Sequence, residues 1–129
     1  MQIRYSLNAG LEIQVRQQEL EEIRQTLLAF LASSQTHLSF TGANDFNPAP
    51  YDEVLEIWKI EKAVGPAKFV IADNKVLCLS GSAKNLENFM SFLRFGFDDS
   101  KGAHNHYEYH EGNKWIASDS EPVIIALQT

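Results

Sequence analysis

The sequence of 129 residues has little cysteine and few basic residues. Its single cysteine, Cys78, excludes an internal disulfide and a metal site built from several cysteines. Asp and Glu number 17 against 11 Lys and Arg, so the net charge is −6, and the basic residues form no dense run. Because nucleic-acid binding needs clustered positive charge, we expect no nucleic-acid partner.

Long apolar runs are also missing. The first ten residues, MQIRYSLNAG, lack the charged and then apolar order of a signal segment. No run approaches the roughly 18 apolar residues that a membrane span requires. With 44% hydrophobic and 22% charged residues, the chain has enough apolar material for a buried core. We therefore expect a single cytoplasmic domain over residues 1–129, with no membrane partner.

Apolar periodicity predicts two helices and a series of strands. Apolar residues recur at helical spacing over residues 17–33 and again over residues 83–95. Ser82 is placed to cap the second helix and Gly96 to end it. The other apolar segments are short and rich in β-branched or aromatic residues, which is typical of strands. The predicted strands cover residues 11–15, 36–40, 54–60, 68–72, 75–79, 106–109 and 122–127, with residues 3–7 as an extra edge strand and Asp73 and Asn74 as a turn.

The order of these elements repeats along the chain. Residues 11–60 and 75–128 both predict strand, helix, strand, long loop and strand, and shifts of 65–69 residues align His37 with His106 and Ile57 with Ile125. We interpret the chain as a degenerate duplication of a βαββ unit. Because each helix has one apolar stripe to bury, we expect an α+β fold, a two-layer sandwich with a mostly antiparallel sheet and both helices on one face.

Three predicted strands are apolar at consecutive positions, so they present apolar side chains to both faces of a sheet. These strands are KFVIA, KVLCL and PVIIAL. The second apolar face has three interpretations: a homodimer partner covers it, the amino-terminal segment with Ile3, Tyr5 and Leu7 covers it, or the sheet curls and closes on itself. Cys78, within KVLCL, is predicted to be a small core residue with an inert thiol.

One histidine-rich stretch, HNHYEYHEG, is a candidate metal site. Residues two apart share a face of a strand. The residues that would line one face are His104, His106, Glu108 and His110. Imidazole and carboxylate groups are ligands for zinc, nickel or iron(II), so one alternative function is a metal-binding protein or a metal-dependent enzyme that uses this cluster. The favoured interpretation is a solvent-facing polar stripe with Tyr107 and Tyr109 packed inward, so the sequence predicts no metal and no cofactor.

Two long loops form a candidate binding surface, and no catalytic signature accompanies them. The loop over residues 41–53 and the loop over residues 111–121 combine aromatic and acidic residues. Aromatic anchors ringed by carboxylates suit an interface with a basic protein. The residues predicted to contact this partner are Phe46, Tyr51, Asp52, Glu53, Trp115 and Asp119, with Asp45 as a further acid. In the alternative interpretation the aromatic residues fold back and cap the ends of the core.

The second half of the chain resembles a known group of proteins. The segments VLCLSGSAKNLENFMSFLRF, HNHYEY and SDSEPVIIAL are similar to one group of small bacterial immunity proteins of polymorphic toxin systems. About fifty residues carry this resemblance. It implies a non-enzymatic cytoplasmic inhibitor that binds and blocks a cognate toxin domain, often through an acidic surface. The apparent doubling of the unit in this chain departs from that pattern.

Overall fold

The computed structural model describes residues 1–73, 75–95 and 102–128. The helices and strands in these residues are, in chain order, β1 (Gln2–Ser6), β2 (Gly10–Val15), α1 (Gln17–Ala32), β3 (His37–Thr41), β4 (Glu53–Leu55), β5 (Ile57–Lys62), β6 (Lys68–Ala72), β7 (Val76–Gly81), α2 (Ala83–Met90), β8 (His104–Tyr107) and β9 (Val123–Leu127). Within this part of the chain, neither helix combines the length and apolar character needed to cross a membrane.

The strands form two sheets. The five-stranded sheet has the order β4-β1-β2-β9-β8, and the four-stranded sheet has the order β3-β5-β7-β6. Neighbouring strands are antiparallel except for two parallel pairs, β2 with β9 and β5 with β7. The prediction of an α+β sandwich with mostly antiparallel strands is confirmed. The expected single sheet is corrected to two.

The correction arises at one residue, Glu56, which divides the strand predicted over residues 54–60. On its amino-terminal side β4 pairs with β1 in the five-stranded sheet, and on its other side β5 pairs with β3 and β7 in the four-stranded sheet. The N–H of Glu56 donates to the carbonyl of Lys75 at 3.0 Å, so this backbone donor stays satisfied where the chain changes sheets.

Strand pairing follows the same pattern in both sheets. Each sheet contains two antiparallel pairs of strands that are joined by one parallel contact. In the five-stranded sheet, β2 joins the pair β1 and β2 to the pair β8 and β9 through its parallel contact with β9. In the four-stranded sheet, β7 joins the pair β6 and β7 to the pair β3 and β5 through its parallel contact with β5. The segment KFVIA, predicted as a strand between the two repeated units, is β6, and it pairs with β7 as β1 pairs with β2. Duplication of the sequence itself stays a prediction.

Most predicted element boundaries lie close to the observed ones. Ser82 caps α2 as expected, because its Oγ accepts the N–H of Asn85 at 3.3 Å. The second helix is shorter than predicted and continues as a 3₁₀ helix over Ser91–Leu93. The hydroxyl of Ser91 donates to the carbonyl of Asn88 at 2.8 Å and tightens this last turn. The predicted Gly96 stop and the Asn74 position of the predicted turn lie outside the described residues.

The buried apolar side chains form one cluster, which residues of both sheets and both helices share. Phe89 of α2 lies at the junction of the two sheets. Its ring centroid is 6.0 Å from Trp58 and 5.4 Å from Phe69, both on the four-stranded sheet, and 4.9 Å from Tyr107 on the five-stranded sheet. This helix therefore joins the two sheets into one core.

The outer face of the four-stranded sheet, which points away from this core, carries apolar side chains. Val70 and Ala72 are exposed, and Ile57, Val76 and Cys78 are partly exposed. Cys78 lies between Lys59 and Val70 in the strand register, so its predicted core position is corrected to this outer face. The amino-terminal segment does not cover the face, because it forms β1 within the other sheet.

Candidate functional site

The loop over residues 42–52 folds onto the outer face of the five-stranded sheet. The ring of Tyr51 lies 4.8 Å from the guanidinium carbon of Arg4, and its hydroxyl donates to Glu12 at 3.4 Å. Arg4 also donates to the carbonyl of Ala49 at 3.1 Å, and the N–H of Asp52 donates to the carbonyl of Tyr5 at 3.1 Å. Tyr51 therefore fastens the loop to the sheet.

An ion pair between Arg4 and Glu12 lies under this loop and provides the side chains that bind it. Arg4 and Glu12 are direct neighbours in the register of β1 and β2, and both side chains are nearly covered, with 13% and 12% of their surface exposed. Nε and Nη2 of Arg4 both donate to one carboxylate oxygen of Glu12, while Tyr51 donates to the other. Burial raises the pKa of the Tyr51 phenol, and the charge of Glu12 raises it further.

Acidic residues of the two predicted binding loops both affect the phenol of Tyr5. Burial raises the pKa of Tyr5, and the charges of Glu121 and Glu53 raise it further. Glu53 lies opposite Tyr5 in the register of β1 and β4, and it is exposed, as is Asp52 beside it. Phe46, farther back in the first loop, is partly buried. Carboxylates of both loops, Glu53 and Glu121, therefore raise the pKa of one phenol, that of Tyr5.

Trp115 is presented to solvent from a backbone that is held on both sides. The side-chain oxygen of Asn113 accepts the N–H of Trp115 at 2.7 Å and the N–H of Ile116 at 3.2 Å. The carbonyl of Trp115 accepts the N–H of Ala67 at 2.7 Å, and Ile116 is buried. The Trp115 side chain has 47% of its surface exposed, so an aromatic ring extends into solvent from an ordered backbone.

The surroundings of Trp115 come from α2 and β7. The indole lines a shallow hollow of about 330 Å³ together with Lys84, Glu87 and Asn88 on the exposed side of α2. Gly81, at the end of β7, lets the chain approach closely here, because a Cβ on this residue would lie 2.9 Å from the Cα of Ala67. Any larger residue at position 81 would displace the backbone at Ala67, which donates to the Trp115 carbonyl.

Sequence reasoning overlooked the residues that support Trp115. Asn113 was not among the candidates, although an asparagine that bonds the backbone two residues ahead is a recognised turn signal. Ala67 and Gly81 carry no comparable local signal, because their role depends on two segments that meet only in the folded chain.

Asp119, predicted to contact a partner, forms an ion pair within the chain. Lys68 Nζ lies 2.6 Å from Asp119 Oδ2. The hydrogen bond from this ammonium lowers the pKa of the Asp119 carboxyl. The described contacts therefore do not gather the predicted residues into one cluster: Tyr51 contacts β1 and β2, Trp115 lies beside α2, and Asp119 contacts β6.

The histidine stretch divides at the end of β8. The strand runs over His104–Tyr107, two residues earlier than the predicted strand over residues 106–109. His104 and His106 are exposed, and their ring centroids are 5.0 Å apart. Glu108 and His110 lie beyond the strand, where Nε2 of His110 is 3.8 Å from Oε1 of Glu108. The expectation that Tyr107 packs inward is confirmed. Among the residues that the structure describes, no three potential ligands are grouped to hold a metal ion.

Comparison with known proteins gives no relative for this chain: no protein-family model, no curated protein and no solved structure matches it.

Proposed function

We propose that this chain is a non-enzymatic protein-binding module, and more specifically a cytoplasmic immunity protein that neutralises a cognate toxin domain with Trp115 as its main anchor. The observation that supports this proposal is the exposed indole of Trp115 on a backbone fixed by Asn113 and Ala67. The resemblance of the second half to immunity proteins adds the identity of the partner to the proposal.

An exposed tryptophan on an ordered backbone suits protein binding for two physical reasons. Tryptophan is enriched among the few residues that dominate interface energies, because its large ring is desolvated on contact. A backbone that is already ordered loses less conformational entropy on binding. The hydrogen bonds to Asn113 and Ala67 hold the Trp115 backbone before any partner arrives.

The charge of the chain favours a basic partner. The net charge is −6, and exposed carboxylates such as Asp52 and Glu53 lie on the loops that carry the predicted contacts. Complementary charge speeds association and excludes acidic competitors, and salt weakens the effect. A basic toxin domain fits this requirement.

The proposal can be tested with the product of the reading frame immediately upstream, expressed together with this chain. Wild-type chain is expected to restore growth and to bind that product, whereas Trp115→Ala should weaken binding by about 30-fold, the effect of losing a dominant interface residue. Leu7→Ala is the matched control, because Leu7 is an apolar side chain that is 86% exposed in a different segment. Added salt should slow association of the wild type.

Two results would contradict the proposal. One is an upstream product that neither harms growth nor binds the chain. The other is a Trp115→Ala variant that binds and protects as well as the Leu7→Ala control.

A further inference from the structure

The two sheets end in four edge strands, which differ in how they are covered. At the β6 edge, the N–H of Phe69 donates to Ser120 at 2.8 Å and its carbonyl accepts the N–H of Glu121 at 2.9 Å. β4 has only three residues and β8 four. β3 has five residues, HLSFT, without the lysine or proline that commonly protects an exposed edge.

The backbone of β3 directs unpaired groups away from its sheet. Two hydrogen bonds at the ends of β3 show which of its residues bond β5. The N–H of Lys62 donates to the carbonyl of Thr36 at 2.9 Å, and the N–H of Gly42 donates to the carbonyl of Glu56 at 2.8 Å. Even-numbered residues of this strand therefore bond β5, and odd-numbered residues point their N–H and C=O groups outward. The outward residues are His37, Ser39 and Thr41, and none of their backbone groups bonds another described residue.

A groove runs beside this edge, along the carboxyl-terminal half of α1. Its volume is about 720 Å³, and every residue that lines it is uncharged. Leu38 of β3 lines the groove and is only partly buried, as is Phe40 of the same strand. The remaining lining residues are Gln25, Thr26, Ala29, Phe30, Ser33, Ser34 and Gln35. An extended chain with apolar side chains would fill this groove and would bond the unpaired backbone groups of β3.

We propose that the occupant is β3 of a second copy of this chain, paired antiparallel about a two-fold axis at Ser39. This register places all five residues of β3 opposite residues of the second β3. Ser39 faces Ser39 of the second copy, and His37 faces Thr41, so the outward backbone groups bond each other. Leu38 faces Phe40 of the second copy, which covers the apolar side chains that a lone β3 leaves partly exposed.

The charges near β3 fit this pairing of two acidic chains. The strand itself contains no Asp, Glu, Lys or Arg. The neighbouring acid, Glu61, lies opposite His37 with its carboxylate 3.4 Å from the imidazole. The two-fold axis places the two Glu61 side chains at opposite ends of the joined strands. Lys59 lies opposite Ser39, so both copies of β3 separate the two Lys59 side chains. This surface includes none of the residues around Trp115, so the inference is independent of the proposed function.

Hydrogen exchange of the wild-type chain tests the pairing directly. When the protein concentration rises, the amides of His37, Ser39 and Thr41 should become protected, while the amide of Leu38, which already bonds β5, should change little. Light scattering should show the mass rising from 14.6 kDa toward twice that value. A mass that stays at 14.6 kDa at millimolar concentration, without added protection of these amides, would overturn the proposal.

Two edge variants and one control locate the contact. Ser39→Lys places like charges opposite each other at the axis, and Ser39→Pro removes the N–H that joins the copies, a change that edge strands tolerate. Both should raise the dissociation constant of the dimer by about tenfold or more while the circular dichroism spectrum is retained. Ala72→Lys, on the outer face of the same sheet, should leave the dimer unchanged. A dimer that survives both Ser39 variants, or that is lost only in Ala72→Lys, would show contact through the outer face instead and overturn the proposal.

Discussion

Single residues that look alike in the sequence are held very differently in the folded chain. Trp115 and Tyr51 are both aromatic residues in acidic loops, yet Trp115 is exposed and Tyr51 is bonded to Glu12, 39 positions away. Asp119 is paired with Lys68, which lies 51 positions earlier. These partners cannot be read from the neighbours of each residue in the sequence. Exposed and internally bonded aromatic or acidic residues are therefore indistinguishable before the fold is known.

The histidines of β8 should not form a stabilising metal site. Because His104 and His106 share an exposed strand face while His110 lies beyond the strand, we expect micromolar zinc to leave the melting temperature unchanged. A ligand that binds only the folded state adds about 2.7 kcal/mol at 100 times its Kd, which shifts the melting temperature by several degrees. A rise of that size, lost in His106→Ala and kept in the control His37→Ala, would contradict this expectation.

Among the helices and strands, local signals hold where the contacts are local. The helix predicted over residues 17–33 agrees with α1, and Ser82 caps α2 as expected. By contrast, the strand predicted over residues 54–60 divides at Glu56 because its two parts pair with different sheets. The buried positions change from odd to even across this residue, from Leu55 to Trp58 and Ile60. The change is masked in the sequence because Ile57 and Trp58 are both apolar, so the run still resembles one continuous strand.

Removal of the α2 cap should destabilise the chain by a moderate amount. In Ser82→Ala the N–H of Asn85 loses the hydroxyl that accepts it, and the free energy of unfolding should fall by about 1 kcal/mol, as for other helix caps. Urea denaturation measures the change. Ser118→Ala, at an exposed serine, is the control and should stay within about 0.5 kcal/mol of the wild type. Equal midpoints for the two variants would contradict the capping role.

For the molecule as a whole, one core joins two sheets. Phe89 contacts Trp58 and Phe69 of the four-stranded sheet and Tyr107 of the five-stranded sheet. Neither sheet can lose this contact without exposing apolar surface of the other. We therefore expect both sheets to unfold together.

Truncation of Phe89 should affect the entire fold. Phe89→Ala leaves a cavity where the sheets meet, and the free energy of unfolding should fall by about 3–5 kcal/mol. Tryptophan fluorescence and far-ultraviolet circular dichroism should report the same single transition. Leu28→Ala, at a helix position that is 58% exposed, is the control and should change little. Separate transitions for the two probes would contradict a shared core.

Helix positions, the cap at Ser82 and the inward side of Tyr107 follow from the sequence, because they depend on residues a few positions apart and on the periods of helix and strand. Three other features do not follow from the sequence: the division into two sheets, the hydrogen bond of Tyr51 to Glu12 and the open edge of β3. Each of these depends on which distant strands become neighbours, and a period of two residues states only which side chains share a face. Pairing between segments far apart in the chain therefore determines which surfaces remain available to a partner.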